Sequence, residues 1–209
     1  MPMGTTAKTD PTISNLQNVS HPTLILIRGL PGSGKSYLAS ALQKALGKER
    51  VLTLDPDTID YLSKEYTDLS KDLTSEGVEK KFHPHRFLRT KAHTAITSNK
   101  IIIWNQAFTN LGGFNRTVAY LQTYALEHDT HLPLLVVEVE ISHDTAKARI
   151  AKREKQGGHS VPEGAFVRFI NDYASFADKG FNTIVVHGED DISASVASVI
   201  KALKELWKR

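Results

Sequence analysis

The 209-residue chain carries 26 Lys and Arg against 23 Asp and Glu, a formal net charge of +3 at pH 7, and no cysteine. Its 40% apolar and 23% charged residues exclude a disordered or membrane-embedded composition, and the missing cysteines exclude a disulfide framework and any thiolate metal site. The small basic excess, without a long Lys/Arg run, suits an anionic substrate and gives nucleic acid only weak support as a partner; the lack of a signal-like or spanning apolar segment fits a cytoplasmic protein with no membrane partner.

Residues 1–20, rich in Thr, Ser, Asn and Pro, read as a flexible leader, and 21–209 as a single domain. The continuous apolar run Thr23 to Ile27 has the character of a central parallel strand covered on both faces. It delivers Gly29-Leu30-Pro31-Gly32-Ser33-Gly34-Lys35-Ser36, which fits the phosphate-binding pattern G-x-x-x-x-G-K-S, and a helical pattern follows to Leu46. Consecutive N–H groups must curl around a phosphate, which Gly32 and Gly34 permit for want of a Cβ, and the helix N-terminus adds further donors. Lys35 can then reach the β- and γ-phosphates and the Ser36 hydroxyl can ligate Mg²⁺. The predicted nucleotide-binding residues are therefore Leu30, Pro31, Gly32, Ser33, Gly34, Lys35, Ser36 and Tyr37, with ATP and Mg²⁺ as the expected cofactors.

Val51 to Leu54 reads as a second strand, ending in Asp55-Pro56-Asp57, and a helical pattern runs from Thr58 through Tyr66. Ligands gather at the carboxyl ends of parallel strands, so both acids should face the P-loop crevice, although either could instead cap a helix. The polar stretch Thr67 to Lys80, containing Gly77, reads as a long loop of the substrate-lid kind. Lys81 to Asn99 carries a helical pattern, and His83-Pro84-His85 reads as its start rather than as a metal site.

Ile101 to Trp104 is a third buried strand. It ends at Asn105-Gln106, where many P-loop proteins carry a carboxylate that helps hold Mg²⁺. Gly112-Gly113 precede a helical stretch, Phe114 to Leu126, with Arg116 near its start as a crevice or surface charge. Leu134 to Ile141 is the fourth strand, and Ser142 can cap the helix Asp144 to Lys155. Arg149 and Arg153, four apart, share one face of it, suited to neutralising charge during phosphoryl transfer, and Gln156-Gly157-Gly158-His159 can hinge it, so 144–158 reads as a basic lid. Phe166, Phe169, Ile170, Tyr173 and Phe176 recur at helical spacing as a core face. Thr183 to Val186 is the fifth strand, and Ile192 to Trp207 the last helix. This alternation predicts an α/β fold of the P-loop NTPase kind: a three-layer sandwich with about five parallel strands and helices on both faces.

Taken together the motifs resemble the P-loop kinase group that includes zeta toxins and the kinase domains of polynucleotide kinases. The resemblance rests on Gly29 to Ser36, on Asp55-Pro56-Asp57, and on Arg149-x-x-x-Arg153 followed by Gly157-Gly158-His159-x-Val161-Pro162, and it spans roughly Pro22 to Val186. It implies a Mg²⁺- and ATP-dependent kinase in which Lys35 and Ser36 serve ATP and Mg²⁺. Asp57 matches the general base for the acceptor hydroxyl, Arg149 and Arg153 match the phosphate-contacting arginines, and Asp55 lies behind them or ligates a metal-bound water. The implied acceptor is a small-molecule hydroxyl, foremost a nucleotide sugar such as UDP-N-acetylglucosamine, and a toxin of this kind would have an antitoxin protein as partner. Asn105-Gln106 departs from the family pattern, which keeps open a polynucleotide 5′-hydroxyl kinase and an ATP-binding interaction module without transfer.

Overall fold

Strand β1 (Thr23–Gly29) is buried along its whole length, as its unbroken apolar run requires. A computed structural model describes residues 21–208, so the leader expected at residues 1–20 lies outside the described residues. β1 is flanked by β3 (Ile101–Asn105) and β4 (Leu134–Glu140), with β2 (Val51–Leu54) and β5 (Thr183–His187) outside them, giving the parallel order β2-β3-β1-β4-β5. Leu26 is level with Trp104 on one side and Val136 on the other. The chain leaves β1 toward β2 on one side and leaves the neighbouring β3 toward β4 on the other, so the crevice beyond the carboxyl ends of these two strands is where a ligand is expected.

Alternate residues of β1 face opposite layers. Leu24 and Leu26 pack with α3 (His83–Thr97) and α4 (Leu111–Glu127), through Phe87, Leu88, Ile96, Phe114 and Leu121 among others. Ile25 and Ile27 pack with α1 (Lys35–Leu46) and α7 (Ile192–Leu206), through Leu38, Leu42, Val199 and Leu203. The result is the three-layer α/β sandwich anticipated from the sequence, each buried aliphatic or aromatic side chain contributing about 1.5–3 kcal/mol. A smaller third cluster, Ala146, Ile150 and Phe166, joins α5 (His143–Lys155) to α6 (Glu163–Asp172). Among the described residues no helix is long and apolar enough to cross a membrane.

Four local readings are corrected. The stretch Thr67 to Lys80 is not a long loop: α2 spans Lys64–Ser75. Ser63 caps it by accepting from the Tyr66 amide, Lys64 pairs with Asp68 one turn on, and Tyr66, Leu69 and Leu73 form an inward stripe that its polar average conceals. The helix expected from Thr58 through Tyr66 begins only at Lys64, and ahead of it stands a 3-10 turn, Pro56–Thr58, capped by Asp55. Gly112 and Gly113 lie inside the first turn of α4, because Asn110 caps that helix by accepting from the Gly113 amide. The aromatic run beginning at Phe166 leaves the helix at Asp172, and Phe176 enters the core from a loop.

Candidate active site

The P-loop turns out of β1 with Gly32 at φ 83° and Gly34 at φ 99°, backbone states that residues with a Cβ rarely adopt. Gly32 is also crowded: a Cβ there would approach the Ala146 carbonyl to 2.6 Å. The first turns of α5 therefore rest directly on the phosphate-binding loop. Lys35 opens α1, and its Nζ donates to the Leu30 carbonyl at 2.9 Å. Burial lowers the Lys35 pKa from 10.5 to about 8, against the pull of Asp55 and Asp57 and with a smaller push from Arg153.

Asp55 ends β2 and turns the chain by accepting from the Asp57 amide at 2.9 Å. Asn105, at the end of β3 and only 3% exposed, donates through Nδ2 both to Ser36 Oγ at 2.9 Å and to Asp55 Oδ2. The P-loop hydroxyl and the buried carboxylate thus converge on one point, and Asn105 Oδ1 is buried with no partner among the described residues. Three oxygens brought this close are of the kind that suits Mg²⁺, a hard cation. Burial raises the Asp55 carboxyl above its usual range, opposed by the hydrogen bonds from Asp57 and Asn105. Asp57 is exposed and borders the same cleft as Lys35 and Ser36.

Arg149 and Arg153 both reach this cleft from α5. Arg149 donates to the Gly188 carbonyl at 2.8 Å and, at 3.5 Å, to the Ser33 carbonyl; Arg153 Nε donates to the His159 carbonyl at 2.9 Å. The cleft, about 730 Å³, is bounded by the P-loop, the two aspartates, the loop after β3 and the segment after α5. A second cavity of about 470 Å³ lies on the other side of the P-loop, between Tyr37, Val139, Gly188, Asp190 and Ser195. Gly34, Tyr37 and Arg149 border both.

Of the residues predicted for the site, Pro31, Gly32, Gly34, Lys35, Ser36, Tyr37, Asp55, Asp57, Arg149 and Arg153 line the large cleft, Ser33 lines the smaller cavity, and Leu30 is a buried support of the loop whose carbonyl holds Lys35. Arg116 instead lies exposed over Gly112 and Gly113. His83 is structural: its two ring nitrogens are paired with Ser70 Oγ at 2.8 Å and the Val78 carbonyl at 2.9 Å. Several residues of the site are not among those predicted for it. His85 borders the large cleft, with its pKa lowered first by burial and then by Arg89. Gln106 stands beside it, its Oε1 accepting from buried Trp104 at 3.1 Å, and Phe169 lines the same cleft rather than the core. Gly188 sits so close to the P-loop that a Cβ would meet the Ser33 carbonyl at 2.1 Å. A glycine directly after the last apolar strand was the available signal for it.

The zeta toxin family model matches residues 6–194 of the chain. A search of curated proteins found no match. Among solved structures the fold is similar to a gluconokinase from Sinorhizobium meliloti 1021, 16% identical with a TM-score of 0.56 over 90% of this chain and 95% of that one. It is also similar to Chaetomium thermophilum Kti12 in complex with ADP-AlF3, 16% identical with a TM-score of 0.57 over 88% and 98%. A third similar structure comes from the PezAT chromosomal toxin–antitoxin system of Streptococcus pneumoniae, 12% identical with a TM-score of 0.55 over 95% of each chain. At these identities the structural likeness speaks to the shared fold.

Proposed function

The chain belongs to the zeta toxin family and is a P-loop kinase, and from that premise we propose that it transfers the γ-phosphoryl group of ATP to a hydroxyl of a nucleotide sugar such as UDP-N-acetylglucosamine. The observation that carries this reading is the convergence of Lys35, Ser36, Asp57, Arg149 and Arg153 on one cleft. In it, the P-loop amides and Lys35 hold the β- and γ-phosphates. Ser36 and Asp55 would hold Mg²⁺, directly or through its waters, with Asn105 between them; the ion neutralises phosphate charge when bound. Asp57, exposed to the cleft, accepts the proton of the attacking hydroxyl and so also orients it. Arg149 and Arg153 meet the charge that spreads over the transferring oxygens. The smaller cavity on the far side of the P-loop takes the nucleoside, which leaves the larger cleft to the acceptor.

The test is incubation of the protein with ATP, Mg²⁺ and a panel of nucleotide sugars, beside Asp57→Ala. Phosphate should appear on at least one sugar with the native protein and on none with the variant, while both bind ATP alike. A native protein that binds ATP yet phosphorylates no member of the panel defeats the proposed acceptor, and labelling of a 5′-hydroxyl oligonucleotide instead establishes a polynucleotide kinase. ATP binding without transfer to either class supports an ATP-binding module. A zeta toxin role further implies an antitoxin partner, checked by whether expression is toxic and whether Lys35→Ala abolishes the toxicity.

A further inference from the structure

One step before the P-loop, β1 places an arginine where its sequence pattern calls for an apolar side chain. Arg28 is fully buried, level in the sheet with Glu138 of β4, itself fully buried, and the two form an ion pair. A pair of this kind is a poor device for stability alone, since apolar residues of similar volume serve as well or better. What methionine and leucine could not supply is the set of directed hydrogen bonds that the pair makes to backbone. Arg28 donates to the Phe108 carbonyl at 3.0 Å and to the Ala174 carbonyl at 2.8 Å. Glu138 accepts from the Phe176 amide at 2.5 Å and from Ser175 Oγ at 2.7 Å. The guanidinium is also covered by the rings of Phe176 and Tyr173, at 3.6 and 4.2 Å from their centroids.

These partners belong to two segments that bound the large cleft. Ala107, Phe108, Thr109 and Asn110 line it directly, and Phe108 holds a left-handed φ of 44°, a strained state for an aromatic residue. Residues 173–176 are the foot of α6, whose Phe169 lines the opposite wall and whose Phe166 packs on Ala146 and Ile150 of the helix bearing Arg149 and Arg153. We propose that Arg28 and Glu138 are a positioning pair for the acceptor side of the site, fixing the 106–110 loop and the foot of α6 to the strand that carries the P-loop. The inference rests on the reading of this cleft as the acceptor site. It deepens that reading by giving the cleft walls an anchor, the Arg28–Glu138 pair, that itself lines neither cavity.

The test separates positioning from stability. In a Trp207→Phe background, which leaves Trp104 as the sole tryptophan, Arg28→Met/Glu138→Leu should bind ATP-Mg²⁺ within about twofold of its parent and melt below it only by the cost of the backbone groups left unpaired in 106–110 and 173–177, because the apolar pair removes both charges together. Amide exchange in 106–110 and 173–177 should nonetheless rise about tenfold, with the P-loop and central strands unchanged. The emission of Trp104, whose indole donates to Gln106, should shift to the red. Arg28→Lys keeps the charge but loses the fork, so it should loosen 106–110 and spare 173–177, and it decides the matter if the double variant does not fold. Parent-like exchange and emission in the double variant, an increase spread evenly over the sheet, or unchanged 106–110 exchange in Arg28→Lys would each overturn the proposal. Because these readings use ATP alone, they hold or fail independently of whether an acceptor is found.

Discussion

With Lys35 on the phosphates as proposed, ATP binding should weaken as the pH rises through 8, because the site disfavours the charge of this amine. Lys35 has its pKa lowered from 10.5 to about 8, chiefly by burial. A bound triphosphate favours the charged ammonium and returns the pKa upward, so binding takes up a proton wherever the free protein has lost it. Affinity is therefore complete below the pKa of the free protein and is lost as pH rises through it, until the pKa of the complex is passed. If the complex restores the ordinary value, affinity falls by about tenfold between pH 7 and pH 9 and by up to about 3 kcal/mol by pH 10.5. The terminal phosphate of ATP ionises near pH 6 and contributes little over this window. Calorimetric titration with ATP-Mg²⁺ at pH 7, 8 and 9 reads the slope directly. Lys35→Arg, which keeps its charge throughout, should bind with no such slope. A flat profile in the native protein, or the same slope in Lys35→Arg, would refute burial of this amine as the cause.

Gly188→Ala places a Cβ 2.1 Å from the Ser33 carbonyl, so one of the two loops must move; expect ATP affinity to fall at least about tenfold with a melting point several degrees lower, read by calorimetry and thermal denaturation. Arg153→Ala should reduce transfer by about 10²–10³ with ATP affinity little changed, whereas Arg149→Ala should also weaken ATP binding because Arg149 contacts Ser33 and Gly188; single-turnover rates beside binding titrations separate the two. Asn105→Asp puts a second carboxylate against Asp55, so the variant should melt lower than the parent without divalent cation and recover on adding Mg²⁺, measured by thermal denaturation with and without MgCl2.

Legibility followed the type of interaction. The five strands could be read because a central parallel strand needs an unbroken apolar run, as Thr23 to Ile27 and Ile101 to Trp104 are. The P-loop could be read because phosphate binding constrains adjacent residues. Helix α2 was concealed because its inward stripe is only Tyr66, Leu69 and Leu73 within a charged background, and its cap, Ser63, is one residue. Arg28 and Glu138 were invisible for a different reason: they stand 110 positions apart, and neither residue alone names the other as its partner. Phe169 was assigned to the core because periodicity says which face of a helix is apolar, not whether that face meets a core or a cleft.

Asn105 changes meaning once its partners are known. In sequence it registers as a missing carboxylate and therefore as a doubt about transfer. In the fold its amide bridges the P-loop hydroxyl and Asp55, so the carboxylate at this point comes from the end of β2 rather than from the end of β3. The two strands are parallel neighbours, with Leu54 level with Trp104, and either can deliver an oxygen to the same place. An aspartate at 105 would duplicate a charge already present, since Asp55 is buried and its carboxyl already pushed upward. A donating amide instead satisfies Asp55 without adding to the repulsion, and this chemistry accounts for asparagine at the position in a chain that retains Lys35, Ser36 and Asp57.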